Sequence, residues 1–247
     1  MKQNLLLEKY KKDGFVVVRK VFKKQLILKV LSELETIKHK ASKLSRKNYH
    51  KTANGKFNTI HNINTFLNKG NIIEISKSHK ITNLAKMILN DKPQLRNIEF
   101  FLKPKKNKMK TPFHQDNYFW NIIGAQGINI WIACSNASKL NGGICYLKNS
   151  QNLGTINHEL SYAKGTSQKI SDNVLNNLKY KKVYPNVNVG DIIIHNCEII
   201  HGSYSNKSNK DRIGLVLSFK GAKSKYDNKK ISEYKRKLKK SLNKIYN

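Results

Sequence analysis

Gly190-Asp191-Ile192-Ile193-Ile194-His195-Asn196-Cys197-Glu198-Ile199-Ile200-His201-Gly202-Ser203 is the stretch on which the fold turns. Gly190-Asp191 reads as a tight turn, since glycine supplies backbone angles that other residues resist. The three isoleucines that follow are a short β-branched run, the mark of a buried strand. A second apolar pair leads into His201. Gly202 behind it permits close backbone approach, so His201 can stand at a strand mouth. Eleven residues later Arg212 opens residues 213–219, the most apolar strand of the chain.

Working outward, residues 15–18, 98–102, 128–134 and 144–148 are further short apolar runs and read as strands. Asn141-Gly142-Gly143, between the last two, has hairpin chemistry because these residues tolerate positive φ. The first third of the chain is different. Residues 1–13 read as a short basic helix ending in the turn Asp13-Gly14. Residues 23–44 carry Leu26, Val30, Leu31, Leu34 and Ile37 at helical spacing, and residues 81–89 form a second helix closed by Asp91-Lys92-Pro93. Residues 45–70 read as a long polar loop with room for one short strand, and residues 152–180 as an irregular polar insertion. In the tail, residues 223–247, Ile231, Tyr234, Leu238, Leu242 and Ile245 recur at helical spacing. Helices first and many short strands afterwards predict an α+β fold whose core is a jelly roll, a double-stranded β-helix of the cupin-like kind with flanking helices. There is no internal repeat and no linker. One domain is expected over residues 1–220, with a basic helix over 221–247 packed on it or extending from it.

The chain has 247 residues and a formal net charge of +33. Such a balance would suit a polyanion partner. Arginine, however, occurs only at Arg19, Arg46, Arg96, Arg212 and Arg236, whereas readers of nucleic acid favour its bidentate fork. Lys, Asn and Ile are all abundant, which matches drift toward AT-rich codons, so the composition argues against specific nucleic-acid binding. Cys134, Cys145 and Cys197 have neither metal nor redox spacing. No run approaches the roughly 20 apolar residues of a spanning helix, and Leu5-Leu6-Leu7 is too short for a signal core. A cytoplasmic protein with no membrane contact is expected; its oligomeric state is not legible.

The densest chemistry lies in Pro112-Phe113-His114-Gln115-Asp116-Asn117-Tyr118-Phe119-Trp120. On a strand, positions two apart share a face, so His114 and Asp116 would point to one spot. With His201 they make two histidines and a carboxylate, the facial triad of mononuclear iron(II). A His-x-Asp triplet alone is common by chance; the strand leading to His201 and Arg212 makes it specific. An arginine beside a buried strand is costly unless paired, and its best partner is a carboxylate. The far carboxylate of 2-oxoglutarate would serve.

These segments carry a resemblance to the phytanoyl-CoA dioxygenase family, iron(II)/2-oxoglutarate-dependent oxygenases that include ectoine hydroxylase. The similarity runs from about Tyr10 to Lys220. It rests on residues 10–18, Phe101-Leu102-Lys103-Pro104, His114-Gln115-Asp116, Trp131-Ile132-Ala133, Asn141-Gly142-Gly143, Gly190-Asp191, His201-Gly202-Ser203 and Arg212. It implies that His114, Asp116 and His201 are the catalytic metal ligands. It implies that Arg212 and Ser203 bind the far carboxylate of 2-oxoglutarate, with Trp131 near that pocket. Trp120 matches an aromatic beside the substrate in ectoine hydroxylase, and Asn117 and Phe119 are further candidate substrate residues. The implied reaction hydroxylates an aliphatic C–H of a small molecule or acyl group, using Fe(II), 2-oxoglutarate and O2. Halogenating relatives lack the carboxylate ligand; Asp116 points to hydroxylation. Lys148-Asn149-Ser150-Gln151 departs from the family's Pro-Gly-Ser-His, and nothing supports ectoine as substrate.

Two other functions compete. A nucleic-acid-directed oxygenase would use the same metal chemistry, but such enzymes usually show a pair of arginines after the distal histidine, where this chain has only Arg212. A non-catalytic metal-binding jelly-roll protein would have no use for a dicarboxylate clamp. His195 reads as a core or rim histidine, His158 as a residue of a surface loop, and Tyr118 as a residue of the core or cavity wall.

Overall fold

The computed structural model describes residues 2–44, 48–163 and 166–246. Helix α1 (Lys2–Asp13) is followed by Gly14 at φ +79°, which turns the chain into β1 (Phe15–Val18). Helix α2 (Lys24–Ser42) buries Ile27, Val30, Leu34, Ile37 and Ala41, a single stripe at helical spacing. Residues 45–70 hold more structure than a loop: β2 (Tyr49–Lys51) and β3 (Phe57–Ile60). Their residues have little alternation of their own. Pairing makes them strands, of β2 with β3 and of Thr59 and Ile60 with Phe101 and Phe100. Two helices follow, α3 (Asn71–Lys77) and α4 (His79–Leu89).

The strand-rich part begins with β4 (Pro93–Lys103) and β5 (Thr111–His114), then the short helix α5 (Asp116–Trp120), β6 (Gly127–Ala133) and β7 (Ile144–Leu147). The insertion at 152–180 is not irregular. It contains a paired β8 (Glu159–Ala163) and β9 (Thr166–Lys169), then helix α6 (Asp172–Asn177), where Ser171 Oγ accepts from Val174 N. The chain continues through β10 (Lys182–Val183), β11 (Ile192–Asn196), β12 (His201–Ser203), β13 (Arg212–Gly221) and helix α7 (Asn228–Tyr246).

Two antiparallel sheets face each other. The larger has the order β1-β11-β6-β13-β4-β3-β2 and the smaller β10-β7-β12-β5. This is the expected jelly roll with flanking helices. One expectation fails: Asn141-Gly142-Gly143 does not close a hairpin, because β6 belongs to the larger sheet and β7 to the smaller. The positive φ of Gly142 serves a crossing between sheets instead.

The strands of the larger sheet alternate. Ile98, Phe100, Ile128, Ile130, Ile132, Leu215 and Leu217 face the helices α2 to α4, in one apolar cluster with Ile27, Val30 and Ile81. Trp131, Ile193 and Val216 face the other way, toward Tyr146 of the smaller sheet, on which Phe15 stacks at 4.4 Å. The functional interior lies between the two sheets, with a solid helical backing behind one of them.

The turn that opens β11 is fixed by Gly190 and Asp191. Gly190 has φ +86°, and a Cβ there would lie 2.1 Å from the Phe22 carbonyl oxygen. Buried Asp191 accepts from Asn188 N at 2.9 Å, Lys20 N at 2.8 Å and Arg19 Nη1 at 2.8 Å. Burial opposes its charge, yet these bonds hold its pKa below the ordinary value. Gly190→Ala therefore meets both strain and a backbone clash. It should lower unfolding stability by roughly 2–4 kcal/mol, read as a lower urea midpoint; a change under about 0.5 kcal/mol, ordinary for a surface site, would refute this account of the turn.

Candidate functional site

His114 ends β5 and His201 opens β12, and the two are register partners across the smaller sheet. Their rings therefore lie side by side, centroids 4.4 Å apart. Asp116 is not on the strand. The chain leaves β5 at His114, passes extended Gln115, and starts α5 at Asp116. Face-sharing along a strand is thus not what positions the carboxylate; the strand-to-helix corner is. Asp116 Oδ1 comes 3.7 Å from His114 Nε2, and Oδ2 comes 3.9 Å from His201 Nε2. The three ligand atoms lie within 4.8 Å of one another.

The tautomers follow from the backbone. His114 Nδ1 is 2.8 Å from the Pro112 carbonyl and His201 Nδ1 is 3.1 Å from that of Ile199. A carbonyl only accepts, so each Nδ1 carries the proton and each Nε2 offers its lone pair inward, as a metal requires. Asp116 is anchored too: its Oδ2 accepts from Asn129 Nδ2 at 2.8 Å and His195 Nε2 at 3.1 Å. Ser218 Oγ donates to Asn129 Oδ1 at 2.5 Å, and the Tyr146 hydroxyl lies 2.9 Å from His195 Nδ1. His195 is thus a core histidine that orients Asp116. No local sequence signal marks this role, because its partner arrives on a helix 79 residues away in the chain. This donor set, two inward imidazole lone pairs and one oriented carboxylate, fits a single iron(II).

Charge is arranged to match. Burial pushes the pKa of His114 down and that of His201 down to about 3, so both are neutral. Burial pulls Asp116 the other way, but His201, His195 and His114 hold it well below the usual carboxylate range. His158 is also pushed down to about 3 by burial. A histidine depressed on folding stabilises fully above its ordinary pKa of 6.5, and that contribution is lost as pH falls toward 3. At pH 5 the loss is about 2 kcal/mol for each of His158 and His201. Metal-free protein should therefore have a distinctly lower urea midpoint at pH 5 than at pH 7.5; a flat profile would show that these rings are not held neutral.

A second pole lies on β13 and β4. Arg212 is 3% exposed and is the register partner of Lys103, also 3% exposed. Arg212 Nε has no hydrogen-bond partner, and Nη1 makes only a long 3.4 Å contact to the Phe101 carbonyl. Its guanidinium lies 5.8 Å from the centre of the Trp131 ring. Lys103 Nζ donates to the carbonyls of Met109, Ser203 and Tyr204. Burial lowers Arg212 to about 10, and burial with the Arg212 charge lowers Lys103 to about 6. No carboxylate pairs with either cation among the described residues. Nearby, Ser203 Oγ donates to Thr111 Oγ1 at 3.0 Å. A buried arginine without an anion, beside a lysine that burial holds largely neutral, is costly; a ligand carboxylate relieves the arginine, so the pole fits the far end of 2-oxoglutarate. Lys103 opens the lysine-rich segment 103–110, yet it points inward.

The candidate substrate residues divide. The Phe119 ring lies edge-on to His114 at 5.7 Å and to Tyr234 of α7 at 5.6 Å. Trp120, at the far end of α5, packs on Gly127 and beneath the Arg96 guanidinium, 4.4 Å from its ring centre. Asn117 is buried, and its amide donates to the Ile122 carbonyl, Thr155 Oγ1 and Glu198 Oε1 while accepting from Ile122 N. Its polar atoms shape the corner after Asp116, which leaves no amide hydrogen for a substrate. His158 does not lie on a surface loop. It is 6% exposed, accepts from Gln115 N at 3.0 Å and stacks on Tyr118 at 4.1 Å. Helix α7 packs on the same corner, with Lys237 Nζ 2.7 Å from the Tyr118 hydroxyl. Leu242 and Ile245 lie outside the residues whose side chains are described.

The sequence profile described as phytanoyl-CoA dioxygenase matches residues 10–214. No curated protein sequence matches. Among solved structures, the chain is similar to the epimerase SnoN in complex with Fe3+, alpha ketoglutarate and nogalamycin RO: TM-score 0.74, 15% identity, 91% of this chain and 86% of that one covered. It is similar to EctD from S. alaskensis with 2-oxoglutarate and 5-hydroxyectoine: TM-score 0.72, 14% identity, coverage 90% and 77%. It is also similar to AviO1 from Streptomyces viridochromogenes Tue57: TM-score 0.71, 15% identity, coverage 90% and 96%. At such identities these likenesses establish the fold.

Proposed function

Because the chain belongs to the phytanoyl-CoA dioxygenase family, whose members are iron(II)- and 2-oxoglutarate-dependent oxygenases, we propose that it hydroxylates an aliphatic C–H of a small molecule or acyl group. The observation that carries this reading is one interior holding both three clustered metal-donor side chains and a buried arginine with no carboxylate partner among the described residues. When bound, iron(II) and 2-oxoglutarate supply the oxidant: O2 is consumed, succinate and CO2 leave, and one oxygen atom enters the substrate.

The protein's part is binding, orientation and exclusion of water. His114, Asp116 and His201 would hold the metal on one side and leave the opposite side open. Asn129 and His195 fix Asp116 Oδ2, so Oδ1 is the oxygen turned toward His114 Nε2. Arg212, together with Ser203, would take the far carboxylate, and Trp131 walls the arginine on one face. Phe119 and Tyr234 give an apolar edge on the approach to His114, which suits a substrate presenting a C–H bond.

The test needs no substrate. Purified protein given iron(II) and 2-oxoglutarate without oxygen should develop the weak visible charge-transfer band of chelated cosubstrate. A well-folded sample with no band would sink the reading and favour a non-catalytic metal-binding protein. With the band in hand, a substrate screen read by mass and by succinate release decides the outcome: gain of one oxygen atom means hydroxylation, and a chromatographically distinct product of unchanged mass formed with succinate means epimerisation.

A further inference from the structure

Gln168 on β9 is fully buried, and neither its Oε1 nor its Nε2 has a hydrogen-bond partner. Among the described residues it is the one side chain whose amide is stranded at both ends. An unmet buried polar group is destabilising, so a residue kept in this state points to a ligand.

Its position says which ligand. Along β9, Ser167 and Lys169 turn outward: Ser167 Oγ lies 3.5 Å from the Tyr234 hydroxyl, and Lys169 pairs with Glu159 and Asp172. Thr166 and Gln168 share the buried face. Thr166 lines the small cavity that contains Arg212, together with Thr59, Phe101 and Thr111. Two residues past Gln168, Ile170 N donates to the Phe113 carbonyl at 2.8 Å, next to His114. The strand thus runs from the arginine pole to the metal pole, with Gln168 midway, about 7 Å beyond Thr166. A five-carbon dicarboxylate with one end at Arg212 and the other at the metal would span this same interval.

We propose that Gln168 is a cosubstrate-binding residue whose Nε2 donates a hydrogen bond to a carboxylate oxygen of bound 2-oxoglutarate. This rests on the oxygenase reading above. An amide suits the place because it offers donors to an anion without adding a further buried charge beside Arg212.

The experiment compares the full-length wild type with Gln168→Leu and Gln168→Glu. Each is titrated with 2-oxoglutarate in the presence of iron(II) without oxygen, and each ligand-free protein is melted. Gln168→Leu should need roughly tenfold more 2-oxoglutarate, with iron(II) affinity unchanged. Its ligand-free melting temperature should be equal or higher, because two stranded polar atoms are gone. Gln168→Glu should bind more weakly still, since it places a like charge against the anion. A wild-type band with wild-type affinity in both variants would overturn the assignment and leave the oxygenase reading standing. Loss of affinity accompanied by a lower ligand-free melting temperature in both would overturn it too, showing a structural residue. No band in the wild type would overturn both readings together.

Discussion

Arg212→Ala will weaken 2-oxoglutarate binding by at least about 30-fold, because truncating one partner of a buried charge pair costs roughly 2–5 kcal/mol. The measurement is the same anaerobic titration, with the band's half-saturation read against the wild type. The variant should not be destabilised without ligand, since among the described residues the arginine has no anionic partner and its Nε none of any kind. Its melting temperature should hold or rise. Arg212→Lys should recover part of the affinity, because a point charge remains while the planar fork is lost. Wild-type affinity in Arg212→Ala would mean that the buried cation serves the fold alone.

Asp116→Ala will reduce iron(II) affinity by more than about a hundredfold. Outer-shell partners of a ligand are each worth 10–100-fold, and here the ligand itself is removed. The same change strands His195 Nε2 and Asn129 Nδ2, which both donate to Asp116, so a stability loss of about 1–3 kcal/mol accompanies it. Circular dichroism separates the two effects: the variant should remain folded at room temperature and fail to bind iron in equilibrium dialysis. Retained iron binding would remove Asp116 from the ligand set.

The legibility of the molecule follows from where each signal is carried. The apolar strands at 98–102, 128–134, 192–194 and 213–219 announce themselves because burial on both faces demands runs of large apolar residues. Tyr49-His50-Lys51 and Thr166-Ser167-Gln168-Lys169 carry no such run; they are strands because a neighbour offers its backbone, which is information held elsewhere in the chain. The Asn141-Gly142-Gly143 turn is legible as a turn, but which strands flank it in space depends on sheet pairing. His114, Asp116 and His201 are visible through residue type and spacing, and the structure draws them together, with Asp116 on a helix rather than the strand. His195, Asn129, Tyr146 and Gln168 were invisible as site residues. Each is an ordinary core or strand residue until a partner from a distant segment faces it.

Asp116 hangs from α5 beside the smaller sheet yet is gripped by Asn129 and His195 of the larger one, while His114 and His201 stand on the smaller sheet alone. A metal held by all three is therefore a rivet through two layers, added to the packing and to the Tyr146–His195 and Lys103–Ser203 hydrogen bonds that already join them. Loading it would stabilise the folded sandwich, by an amount that grows with iron concentration, as for any ligand that binds only the folded state. Iron scarcity would then lower the stability of the fold together with turnover.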